Sequence, residues 1–162
     1  MECIHCKLYG YGEKRKMNSV EAMMFFSDKD REVVDNFMEN LMQACLDHVE
    51  TPNRYGMRMP QVLMCPSSNS DVSRVARYFS CYPKAFRFLY VSRESDWWLE
   101  KVKQELVQEL ILKPGLVIPI IRDTEDLGRL PKPLQRIWAV NLDNSFCWDH
   151  LVKLFDKARQ NE

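Results

Sequence analysis

Glycine is scarce in this chain: Gly10, Gly12, Gly56, Gly115 and Gly128 are all there are among 162 residues. None falls in the turns that directly follow its apolar segments, which excludes the glycine-rich loops that cradle a nucleotide or flavin phosphate. An excess of one charge is missing too. Lys plus Arg and Asp plus Glu each number 23, so the basic footprint of a nucleic-acid binder is absent and no nucleic-acid partner is expected. No apolar run approaches the ~20 residues needed to cross a bilayer, so direct membrane insertion is not expected either. The opening "MECIHCKLYGYGEKRKM" has no continuous apolar segment of the secretory kind. The expectation is a cytoplasmic protein, or the cytosolic part of a larger one, with its six cysteines reduced. Cys65, Cys81 and Cys147 stand among apolar neighbours and read as core or half-buried thiols. Internal repeats and low-complexity segments are also lacking.

What is present is enough for one real core. Hydrophobic residues make up 46% of the chain, and a single domain commonly runs ~100–150 residues. Residues 1–18 are polar and read as an extension, 19–158 as the domain, and 159–162 as a tail. "VEAMMFF", Val20 to Phe26, is nearly all apolar, as a strand covered on both faces is. Ser27 stands three before Asp30, as in a capping box, and Val33, Val34, Phe37, Leu41 and Cys45 form one helical face ending near His48. "QVLMC" is a second strand, and "PSSNSD" a turn from which Ser70 can cap a helix carrying Val72, Val75, Ala76 and Phe79. "FRFLYV" is a third strand, followed by a helix with Leu99, Val102, Leu106 and Leu110 on one face and a stop at Lys113-Pro114-Gly115. "LVIPII" is a fourth strand, whose Pro119 implies that one side lacks a ladder partner. "WAVNL", Trp138 to Leu142, is a fifth, and a last helix runs from about Trp148 to Ala158. Strands and helices alternating at this spacing predict a flavodoxin-like α/β fold: a five-stranded parallel sheet with helices on both faces.

Ligands of such sheets bind at the carboxyl ends of the strands. The segments there are Ser27–Asp30, Pro66–Ser70, Ser92–Asp96 and Arg122-Asp123. A phosphoacceptor receiver would need an aspartate ending the third strand and a lysine ending the fifth; Ser92 and Leu142 stand there instead.

"VEAMMFFSDKD", "FRFLYVSRESDWW", "LVIPIIRDTEDLGRLPKPLQRIWAVNL" and "FCWDHLVKLFDKA" together resemble the Toll/interleukin-1 receptor (TIR) domain family over roughly residues 19–158, closest to its adaptor-type members. The last of these resembles the family's Phe-Trp box, here Phe146 and Trp148, with one residue inserted between them. The resemblance implies a non-enzymatic module of innate-immune type signalling that docks with other TIR-domain proteins or with itself. It places the contact loop at Pro66, Ser67, Ser68, Asn69, Ser70 and Asp71, and makes Phe146 and Trp148 structural. The family's Arg-Asp and Pro-Gly loop motif is replaced here by "CPSSNSDV", which implies unusual partner choice. Members that cleave NAD carry a glutamate four residues after a tryptophan. Lys101 or Val102 occupies that position, and Glu100 is turned about 100° of helix from Lys101. NAD cleavage through Glu100 or Glu105 is therefore one alternative, a flavodoxin-like binding module outside the TIR family is another, and no cofactor is required.

A structural zinc is a separate hypothesis. Cys3 and Cys6 have the gap of half a zinc knuckle, and topology returns Cys45 and His48, three apart on one helix, to the same sheet edge. Together they would pin the amino-terminal extension. The bland alternative makes Cys3 and Cys6 part of a leader, Cys45 a core residue and His48 a solvated helix end. The bland reading is also preferred for Trp97 and Trp98 (one core, one seam), for Cys147 with His150, and for the Lys14-Arg15-Lys16 run.

Overall fold

The computed structural model describes residues 7–9, 20–47, 59–67, 72–92 and 103–160, without the side chains of 7–9, 72–74 and 103–106. Within these, the strands are β1 (Lys7–Tyr9), β2 (Ala22–Phe26), β3 (Val62–Pro66), β4 (Phe86–Tyr90), β5 (Val117–Ile121) and β6 (Val140–Asn141). The helices are α1 (Arg31–Asp47), α2 (Val72–Cys81), α3 (Lys103–Leu112) and α4 (Cys147–Gln160). The sheet order is β1-β3-β2-β4-β5-β6. Strands β2 to β6 are parallel and form the flavodoxin-like sheet, while β1 pairs antiparallel with β3 at one edge. The fold thus takes in three residues of the segment read as an extension.

Burial on both faces explains why β2 to β5 are such continuous apolar runs. Every residue of these four strands is buried. Side-chain alternation then deals them to two cores. Ala22, Met24, Phe26, Val62, Met64, Phe86, Phe88, Ile118 and Ile120 face α1 and α4. Met23, Phe25, Leu63, Cys65, Leu89, Val117 and Ile121 face the other layer, with Val75, Tyr78 and Phe79 of α2 and Leu110 of α3. Phe88 sits at the centre of the first core, edge-on to Phe37 and Phe155. Aromatic pairs of this geometry add about 0.5–1.5 kcal/mol beyond their area.

Local chemistry departs from the expected pattern at three places. Ser27 caps a 3-10 turn, Asp28–Asp30, by accepting from Lys29 N–H, and α1 begins only after it. Its partner in the expected capping box, Asp30, turns its carboxylate elsewhere. The strand "WAVNL" shrinks to Val140 and Asn141, because Trp138 turns out of the ladder and stacks on His150. Pro119 behaves as its missing N–H requires. Ile121 accepts from Leu142 on the β6 side, so Pro119, two residues back, faces that side before the β6 ladder starts at Val140. No helix among the described residues is long and apolar enough to cross a membrane.

Candidate functional site

The chain leaves β2 toward β3 on one side, while β4 lies on the other side of β2. The carboxyl ends of β2 and β4 therefore flank the switch-point crevice where this class of sheet takes its ligands. Asp30 comes from the turn after β2, and Ser92 follows β4 by two residues. Ser92 Oγ lies 2.9 and 2.8 Å from the two carboxylate oxygens of Asp30, so its single proton is shared between them. Asp30 is only 6% exposed, and a buried carboxylate needs such donors. The hydrogen bond spans the crevice and ties its two walls together. Tyr90 lies beneath: burial pushes its phenol above its ordinary pKa, Asp30 adds to the rise, and Arg122 opposes it.

A second tie lies beside the first. Asp28 N–H donates to Ser67 Oγ at 3.1 Å, and that hydroxyl lies 3.4 Å from Asp28 Oδ2. Ser67 follows β3 directly, so the start of the expected contact loop is fastened to the turn after β2. Pro66 is the last residue of β3, buried and opposite Phe26. Ser68, Asn69, Ser70 and Asp71 lie outside the described residues. After β5, Asp123 accepts from Glu125 N–H while Asp126 accepts from Asp123 N–H, a capping box that the sequence reading did not find.

The box residues part company. Trp148 is half-buried with its ring 5.4 Å from Phe37, a packing role. Phe146 is 70% exposed. The inserted residue explains the difference: Cys147 takes the inward place at the start of α4 and is buried there, leaving Phe146 outside. Among the thiols, Cys65 and Cys147 are buried as expected, but Cys81 is exposed at the end of α2.

The other candidates are only partly in view. Glu100, Trp97 and Trp98 lie outside the described residues, as does the side chain of Glu105 on α3. Of the zinc candidates, Cys3, Cys6 and His48 lie outside them too. Cys45 is wholly buried in the α1–α4 core, and burial pushes its thiol up to about 11, with Arg159 opposing and Glu21 adding to the shift. Among the described residues no three potential ligands gather into a metal-binding group.

Fold and rim define a flavodoxin-like α/β domain whose switch-point crevice is bridged by its own side chains. No protein-family model and no curated protein matches the chain.

Proposed function

We propose that the chain is a TIR-like signalling module of the cytosol that works by docking with other TIR domains or with copies of itself. The observation that carries this reading is the Asp30–Ser92 bridge, which spans the crevice where a small ligand would otherwise enter. The polar groups beside it are also turned toward one another, as Ser67 and Asp28 are. A crevice bridged in this way offers a surface to another protein more readily than a pocket to a nucleotide. The contact loop, Pro66 to Asp71, begins at that rim, and exposed Phe146 follows β6 along it. An altered loop sequence would change which partner docks, not whether docking occurs.

Light scattering of the purified chain, with and without a TIR-domain adaptor, tests this. A mass that rises with concentration, or a complex with the adaptor, is expected. A strict monomer that binds no TIR domain overturns the reading, as does cleavage of NAD lost in Glu100→Ala or Glu105→Ala. The zinc pin joins the proposal as a separate part. It requires one zinc per chain in metal analysis, lost in Cys3→Ser; metal-free protein, or zinc indifferent to Cys3→Ser, ends it.

A further inference from the structure

Among the described residues, Arg87 alone carries buried side-chain nitrogen or oxygen atoms without a hydrogen-bond partner, its Nε and Nη1. Its position follows from strand alternation. Phe86, Phe88 and Tyr90 of β4 turn toward α1 and α4, so Arg87 and Leu89 turn toward α2 and α3. Its neighbours in the ladder are Met23 and Val117, both apolar and buried. The side chain is 4% exposed. Phe79 of α2 covers one flat side of the guanidinium, with Cζ 4.9 Å from the ring centroid. A cation–π contact answers the charge but leaves the in-plane N–H groups on Nε and Nη1 unbonded. Glu109 of α3 acts on the guanidinium through space without an ion pair among the described residues.

A guanidinium stays protonated at neutral pH, and a buried cation with open donors is among the costlier arrangements a core can hold. A well-packed apolar residue of similar volume would avoid that cost, so a ligand for those donors is the economical explanation. Of the described side chains of α3, Leu110 alone is fully buried, while Ile111 and Leu112 stand exposed at 41% and 73%.

We propose that Arg87 is the receptor for a small oxyanion, a carboxylate or phosphate group, taken up between α2 and α3. Two free donor positions and a stacked aromatic suit a compact anion, and apolar Met23 and Val117 beside them keep water scarce. Glu109 repels such a ligand and so sets its affinity. The site lies near the amino end of β4, away from the carboxyl rim, and does not rest on the docking reading.

Thermal unfolding of the full chain tests it, with inorganic phosphate or acetate replacing chloride at constant ionic strength. A saturable rise of about 4 °C is expected with at least one anion, and the anion that acts separates phosphate from carboxylate chemistry. Arg87→Met removes the charge, keeps the length, and abolishes the response. Glu109→Gln lowers the half-saturating concentration severalfold. No saturable rise, an equal rise in Arg87→Met, or a half-saturation unmoved by Glu109→Gln would overturn the proposal. The Glu109→Gln arm decides if Arg87→Met does not fold.

Discussion

Arg159 grips Glu21 across 138 residues of chain, with Nε donating to Oε2 at 2.6 Å and Nη2 to Oε1 at 2.9 Å. Glu21 Oε1 also accepts from Gln61 N–H at 3.2 Å. One carboxylate thus joins the end of α4, the entry to β2 and the entry to β3. Both side chains are mostly buried, so the pair is screened far less than a surface bridge. Arg159→Ala strands the Glu21 carboxylate and should cost about 3 kcal/mol in urea unfolding. Arg159→Lys should not recover it, because an ammonium cannot make the paired fork.

The bridge between Ser92 and Asp30 supports a second prediction. Ser92→Ala removes the hydroxyl that both carboxylate oxygens share. A hydrogen bond to a charged group is worth about 1.5–3 kcal/mol, and a loss of that size is expected in urea unfolding. Docking measured by light scattering should persist, since the contact loop begins at β3 and not at Ser92. A ligand-binding crevice would behave differently, with Ser92→Ala changing small-molecule affinity more than stability.

The strands were legible because burial on both faces favours apolar residues throughout, Arg87 of β4 excepted, and β2 and β5 could hardly read otherwise. The rim was legible only as a set of segments. Which of its side chains meet depends on β4 lying beside β2, and a sequence does not state that neighbour relation at the level of Ser92 and Asp30. Phe146 misled because a motif carries residue identity but not the effect of one inserted residue on helix phase. Arg87 passed unnoticed inside "FRFLYV" because alternation in an edge or half-exposed strand would have sent it to solvent. In a central strand the same alternation sends it into the second core.

Cys45 yields a pH dependence. In the chain without zinc, its thiol titrates at about 11 when folded, against an ordinary value of 9.0. Between these values the unfolded chain loses the proton and the folded chain keeps it, so stability is whole below pH 9 and falls as pH rises toward 11. The loss attributable to Cys45 is about 2 kcal/mol over that window. Urea unfolding from pH 8 to 11 should therefore show a steeper decline in the native chain than in Cys45→Ala. Alkylation at pH 8 should label exposed Cys81 well before Cys45.

Phe146 and Trp148 separate folding from docking. Trp148 is half-buried against Phe37, so Trp148→Ala opens space in the α1–α4 core and should cost about 2 kcal/mol. Phe146 is 70% exposed, and Phe146→Ala should change stability by less than about 0.5 kcal/mol. An exposed ring on a docking rim has a different use, since aromatic anchors dominate protein contacts once water is excluded from them. Phe146→Ala should lower association in light scattering at least tenfold while the unfolding midpoint holds. Equal association in the native chain and in Phe146→Ala would remove Phe146 from the contact surface and leave Pro66 to Asp71 to carry it alone.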